Sequence, residues 1–171
     1  MKEAIYQKLS FANGIIQLPH PDTITQWELD PVYLPTVSGN DVDSYFQQEN
    51  SNLNLNPSSC KAIKLGKGLA LSGHVQEILY AGIEASVPYC FVKSRCVRQT
   101  FLRENPYHLW VIIKKDSGLV CEGYCSCVGG ITGTCKHVAA LLYCLVDIAV
   151  QGKNLACTSK KTSVGKIEKV S

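Results

Sequence analysis

The feature that most constrains this chain is a group of four potential metal ligands in its C-terminal third. They follow the order Cys-x-Cys, seven residues, Cys-x-His, and are Cys125, Cys127, Cys135 and His137. Three thiols and one imidazole make a full tetrahedral set for zinc, which favours sulfur and nitrogen donors. A catalytic zinc keeps one position open, whereas these residues would fill all four. The pattern therefore predicts a closed, structural Zn²⁺ site.

The spacing also predicts which elements carry the ligands. Side chains alternate along a strand, so Cys-x-Cys places both thiols on one side of an extended segment. Three of the seven residues between the pairs are glycines, which suit a loop that folds back on itself. After His137 the apolar residues recur at helical spacing as far as Val150. We expect the first pair at a strand end and the second at the start of a helix over residues 136–150.

Ordinary core packing is the competing interpretation, since free cysteine is among the most buried residue types. Two cysteines one residue apart, followed closely by Cys-x-His, are hard to obtain from packing alone. A redox pair would usually show Cys-x-x-Cys, which the sequence lacks. We expect Cys121, four residues before Cys125, and Cys144, in the helix, to pack in the interior and not to bind metal. The other cysteines show no defensible pairing, and the other histidines are expected to be loop, surface or strand residues: Cys60, Cys90, Cys96, Cys157, His20, His74 and His108.

The ligand order resembles that of a SWIM-type zinc finger, a compact ββα metal-binding module. The segment GTCKHVAALLYCL, residues 133–145, is similar to the finger of a group of animal proteins. In many of those proteins a YqaJ-like, phage recombinase-type nuclease domain follows the finger, and residues 26–156 carry a weaker similarity to them. The resemblance implies a role in nucleic-acid binding or in protein interaction, or as an accessory part of a nuclease or recombinase protein. The sequence ends at Ser171, before any such nuclease segment.

Length and composition place the chain among globular proteins. Its 171 residues allow one domain with a modest core, and 46% of them are hydrophobic. The longest apolar run, residues 138–150, is interrupted by Asp147 and is too short to span a membrane. With no signal peptide visible, we expect an intracellular protein, in the nucleus more than in the cytoplasm, whose clustered cysteines bind metal. A secreted disulfide protein is the alternative.

Charge is distributed unevenly along the chain. Residues 1–59 contain two Lys/Arg against seven Asp/Glu, a net charge of −5, whereas residues 60–171 contain fifteen against seven, a net charge of +8. A basic half that carries the metal site suggests an anionic partner, DNA or RNA being the commonest. The residues expected to contact phosphates are Lys93, Arg95, Arg98, Lys114 and Lys115. A solvated surface with a basic tail, or a module that binds another protein, would account for the same charges.

The chain divides into four predicted parts. Residues 1–59 form an acidic arm rich in Pro, Asn and Ser, extended and partly irregular, with a short helix from Gly39 and a polar linker over 47–59. Residues 60–106 hold a helix over 72–83 and a strand over 88–100. Residues 107–150 form the finger, with strands at 107–115 and 119–125 joined by a hairpin turn at Asp116-Ser117-Gly118. Residues 151–171 form a basic, disordered tail. The predicted class is α+β, a small antiparallel sheet with a ββα zinc-binding module.

No catalytic constellation is visible in the sequence. It contains no Ser/His/Asp set, no paired-carboxylate motif and no phosphate-binding loop, and its acidic residues are scattered. We therefore expect a binding module and not an enzyme.

Overall fold

A computed structural model of the chain describes residues 2–51, 57–99 and 103–158. Within these ranges the chain forms four helices and six strands. In chain order they are α1 (Lys2–Lys8), β1 (Ser10–Phe11), β2 (Ile16–Gln17), α2 (Gly39–Ser51), α3 (Pro57–Leu71), β3 (Val75–Ala81), β4 (Tyr89–Cys96), β5 (Tyr107–Lys114), β6 (Val120–Cys125) and α4 (Lys136–Thr158). This is the α+β class with a small antiparallel sheet that the sequence predicts.

The central element is a four-stranded antiparallel sheet in the order β3-β4-β5-β6. Consecutive strands pair with each other, and β1 and β2 form a separate hairpin. β5 and β6 are joined by a tight turn around Gly118, which has a φ of +78°, as expected for the predicted hairpin. Together with α4, these two strands give the ββα order that the motif predicts.

Helices cover one face of the sheet. Alternate residues of β4 and β5, such as Val92, Leu109 and Val111, are buried there against the apolar side of α4, including Leu141 and Leu142. Helix α3 packs closely along α4, because Gly66 leaves room for the other helix. A Cβ atom at Gly66 would lie 2.5 Å from the Cβ of Ala139.

The N-terminal arm covers the other face of the sheet. Leu9 and Leu18 are buried there with Phe91, Trp110 and Ile112 of the sheet. Because both faces of the sheet are covered, most residues of β4 are buried, and apolar and polar residues do not alternate strictly along it. The arm is therefore part of the core, and α2 contributes Val42, Tyr45 and Phe46 to the helix-facing side.

The predicted helix over residues 72–83 is wrong, because this segment is the edge strand β3. Val75, Ile78 and Tyr80 pack against the helix-facing core. A β-bulge between Gln76 and Leu79 adds a residue to the strand. Val75 and Ile78, which pack against the same core, are therefore three positions apart and not two. The apolar residues therefore recur at a spacing typical of a helix although the backbone is extended.

Two predicted irregular segments are helical where the structure describes them. Helix α2 continues to Ser51 and α3 begins at Pro57, so most of the expected linker over 47–59 is helical, and residues 52–56 lie outside the described residues. Helix α4 continues to Thr158, eight residues beyond its predicted end, so the expected disordered tail is wrong for residues 151–158. The rest of that tail lies outside the described residues. No helix in the described ranges has the length and apolar composition needed to cross a membrane.

Candidate metal centre

The four predicted ligands converge at one end of the sheet. Cys125 is the last residue of β6, Cys127 follows two residues later, Cys135 directly precedes α4, and His137 lies in its first turn. One ligand atom from each residue can be chosen so that all four lie within 4.8 Å of one another. The predicted placement of one pair at a strand end and the other at a helix start is confirmed, and the group could hold a metal ion.

The separations between ligand atoms agree with a tetrahedral centre. His137 Nδ1 lies 3.7 Å from Cys125 Sγ and 3.8 Å from Cys135 Sγ. Zn–S and Zn–N bonds of about 2.3 and 2.0 Å at tetrahedral angles place sulfur and nitrogen about 3.5 Å apart. An ion of this size can therefore lie between the four atoms with only small shifts of the side chains.

Close packing of the loop sets the position of the first thiol pair. The N–H of Gly130 donates to the Cys127 carbonyl oxygen at 3.0 Å. A Cβ atom at Gly130 would lie 2.5 Å from the carbonyl carbon of Cys125 and 2.7 Å from its Cβ, and closer still to the carbonyl oxygen. Only a glycine at this position allows the loop to pass so near the end of β6.

A contact from a distant helix holds the other side of the loop. The hydroxyl of Tyr45, a buried residue of α2, donates to the Gly133 carbonyl oxygen at 2.7 Å. Tyr45 also belongs to the apolar side of its helix, with Val42 and Phe46. Tyr45 and Gly133 are 88 positions apart, and no local pattern relates them. The N-terminal arm therefore supports the metal loop directly.

The four predicted ligands differ in how deeply their side chains are buried. Cys125 is 1% exposed and His137 8% exposed, whereas Cys127 and Cys135 are half-buried. The His137 ring packs against the ring of Tyr107 with 4.6 Å between centroids. Four ligand groups would fill a tetrahedral coordination sphere, which is compatible with a structural site.

Electrostatics favours a cation at this position. Hydrogen bonds with Cys127 and Cys135, followed by burial, raise the pKa of Cys125. Hydrogen bonds from the thiols of Cys125 and Cys135 lower the pKa of Cys127. Three sulfurs this close repel one another when charged, which opposes ionisation of all three thiols without a cation. A divalent ion would replace the thiol protons and allow all three sulfurs to act as thiolates.

The described cysteines outside the group of four behave as interior thiols. Cys121 packs against the arm-facing core and lies outside the cluster, as expected. Burial raises the pKa of Cys144 to about 12 and that of Cys121 to about 11. Burial, and then the charge of Cys135, raises the pKa of Cys96 to about 11, yet its sulfur is not one of the four. The side chains of Cys60 and Cys157 lie outside the described residues.

The two cations of β4 lie on the arm-facing side of the sheet. The Lys93 ammonium lies 4.1 Å from the centre of the Trp27 ring. The Arg95 guanidinium forms an ion pair with Glu77 of the neighbouring strand. Both cations line a cleft between the sheet and the arm.

The other three predicted phosphate contacts lie at the two ends of the sheet. Arg98 is at the metal end, where its guanidinium lies 4.4 Å from the centre of the Tyr107 ring and pairs with Glu104. Lys114 and Lys115 lie at the far end of β5, and Lys115 Nζ donates to the Glu84 carbonyl oxygen at 2.8 Å. The structure thus does not bring the five cations into one group.

A row of lysines that sequence reasoning passed over lies on α3. Lys61, Lys64 and Lys67 are exposed at intervals of three residues, and the helix contains no acidic residue. Lys67 also lies 5.0 Å from the centre of the Tyr143 ring. The three-residue spacing of these lysines is visible in the sequence, but it places them on one side only if residues 57–71 are helical. The sequence predicts the helix at residues 72–83 instead.

Comparisons of the chain with protein-family models, with curated proteins and with solved structures find no match.

Proposed function

We propose that this protein is a zinc-binding module in which a structural Zn²⁺ joins the end of β6 to the start of α4. The supporting observation is the convergence of Cys125, Cys127, Cys135 and His137 within 4.8 Å. Three thiolates and one imidazole favour zinc over magnesium or calcium, which prefer oxygen ligands. The ion holds together a loop that buries few apolar side chains of its own. We further propose that the module is a finger of the SWIM type.

Metal analysis of the purified protein tests the zinc site. We expect one Zn²⁺ per chain, and we expect Cys125→Ala or Cys135→Ala to release it. Cys121→Ala and Cys144→Ala remove half-buried thiols outside the cluster, so these control variants should retain the metal. A protein without bound zinc, or equal zinc loss in all four variants, would overturn the assignment.

The module's role, in our proposal, is to bind nucleic acid. Support comes from the net charge of +8 over residues 60–171 and from the exposed lysine row of α3. Phosphate contacts need cations on a rigid surface, and a metal-anchored sheet supplies one. Arg98 is held beside Tyr107, which packs against His137. A cation next to the metal centre therefore has a fixed position.

A second candidate function is protein interaction, and two observations favour it. Arg95 and Arg98 already form ion pairs with Glu77 and Glu104, which reduces their availability to phosphates. Val128, at the tip of the metal loop, is fully exposed. An apolar side chain on a loop fixed by coordination suits a contact with another protein.

Salt titration of DNA and RNA affinity separates these candidates. Each phosphate contact that is lost should flatten the slope of log K against log salt by about one. We expect the Arg95→Ala/Arg98→Ala double variant to bind more weakly and with a shallower slope, and deletion of residues 159–171 to remove only non-specific attraction. If the deletion abolishes binding while the double variant matches the parent, the folded module is not the nucleic-acid reader, and protein interaction becomes the better explanation.

A further inference from the structure

The cleft between the sheet and the N-terminal arm carries an inference that rests on the proposed nucleic-acid function. It has a volume of about 640 Å³, within the range of small-molecule sites. Its sheet side includes Lys93, Arg95, Trp110 and Tyr124, and its arm side includes Ile5 and His20. The cleft lies on the face of the sheet opposite α4, away from the helix-facing core.

The floor of the cleft presents an aromatic pair beside a cation. The rings of Trp110 and Tyr124 stack with 5.5 Å between centroids and an angle of 27°. Lys93, Trp110 and Tyr124 are direct cross-strand neighbours on β4, β5 and β6. Adjacent strands lie about 4.8 Å apart, and Arg95 lies two residues along β4 from Lys93, about 7 Å away. A planar ring and an anionic group can therefore be held together within this spacing.

Arg95 is incompletely satisfied in the cleft. Its guanidinium pairs with Glu77 through a terminal nitrogen, but its Nε atom is buried and has no hydrogen-bond partner. An unsatisfied buried donor costs about 1–3 kcal/mol. Rotation of the guanidinium toward the cleft would expose Nε–H, and a phosphate that binds it together with a terminal N–H would remove that cost, since a guanidinium matches such an anion in a bidentate manner.

The partner of Arg95 is held at a strained position. Glu77 has a φ of +55° and lies within the β-bulge of β3. Residues other than glycine in this region cost about 1–3 kcal/mol and are often found at binding sites. The bulge brings the Glu77 carboxylate to Arg95, where it holds the guanidinium and also competes with an incoming anion.

We propose that this cleft binds a nucleotide, with the base against Tyr124, whose ring stacks on the buried Trp110, and the phosphate on Arg95 and Lys93. Aromatic side chains combined with fixed cations are the usual means of holding a base and its phosphate in single-stranded nucleic acid. The nucleotide can be free or part of a single strand. The same two groups, ring and phosphate, are recognised in both cases.

Intrinsic fluorescence reports directly on this cleft. The chain has two tryptophans, and both adjoin it: Trp110 in its floor, and Trp27 beneath the Lys93 ammonium. The zinc-loaded full chain is titrated with adenosine monophosphate, a short single-stranded oligothymidylate and a DNA duplex. We expect the oligothymidylate to change the tryptophan emission and the duplex to bind more weakly.

Opposite effects of two variants distinguish ligand binding from a merely structural ion pair. Arg95→Met should weaken oligothymidylate binding by about ten- to a hundredfold, the effect of losing a hydrogen-bonded charge. Glu77→Gln should tighten binding, because it removes the competing carboxylate and keeps the guanidinium. Arg103→Met, a change at an exposed arginine outside the cleft, is the matched control and should leave the emission change intact. Zinc content and thermal unfolding verify that each variant is folded.

The outcomes distinguish failure of the cleft proposal from failure of the proposed nucleic-acid function. If the oligothymidylate binds by anisotropy without altering tryptophan emission, or if Glu77→Gln weakens binding as Arg95→Met does, the cleft proposal is overturned and nucleic-acid binding stands. If only adenosine monophosphate binds, the cleft takes free nucleotides and the nucleic-acid role fails. If no probe binds, both are overturned.

Discussion

Gly130 and its neighbour Gly129 offer a matched test of how the metal loop is packed. An alanine methyl group at Gly130 would meet the backbone of Cys125 at 2.5 Å and its Cβ at 2.7 Å, whereas at Gly129 it would meet nothing within 4 Å. Overpacking in a rigid interior costs about 1–3 kcal/mol, and here the atoms to be displaced belong to Cys125, a proposed metal ligand. We expect Gly130→Ala to cost about 3 kcal/mol, and Gly129→Ala, at a φ of −96°, to change stability by less than about 0.5 kcal/mol.

Thermal unfolding and competitive zinc binding measure this difference. A loss of 3 kcal/mol in a chain of this length corresponds to a melting temperature lower by about 10 °C. If the strain falls on the zinc-bound state alone, the same energy appears as about a hundredfold weaker zinc affinity. Gly129→Ala should match the parent in both assays. Equal behaviour of the two variants would refute the close approach of the loop to Cys125 and the reasoning built on it.

Three further predictions concern folding and thiol chemistry. Chelation of the metal should lower the melting temperature, because coordination orders the loop before α4. It should also expose the α4 face that includes Leu141, which binding of an apolar dye would measure. An unchanged unfolding curve would contradict a structural site. Gly66→Ala should destabilise by about 1–3 kcal/mol in a denaturant titration because its Cβ meets Ala139, whereas Gly68→Ala, with nothing within 4 Å, should stabilise by about 0.5–1 kcal/mol. Burial raises the pKa of Cys90 and Cys144 to about 12, so mass spectrometry should find both unalkylated by iodoacetamide near neutral pH. The stability linked to these two thiols should fall above about pH 9, where they ionise in the unfolded chain but not in the folded one.

The ligand set could be predicted from the sequence because it is local. The ligands of each pair are one residue apart, and the two pairs are joined by a short glycine-rich loop. The strand before Cys125 and the helix after Cys135 follow from side-chain periodicity, which depends only on neighbouring residues. The same holds for the hairpin at Gly118. These features account for the order β5, β6, α4 and for the four atoms that meet at its end.

Tertiary structure alone decided the features that depend on distant contacts. The β3 strand resembles a helix in sequence because a bulge shifts its apolar spacing, and only pairing with β4 makes it extended. The position of Arg95 beside Glu77 and the support of the metal loop by Tyr45 each join residues from separate strands or helices. Local propensity carries no information about such pairs, because the strands and helices must first come together before these side chains meet.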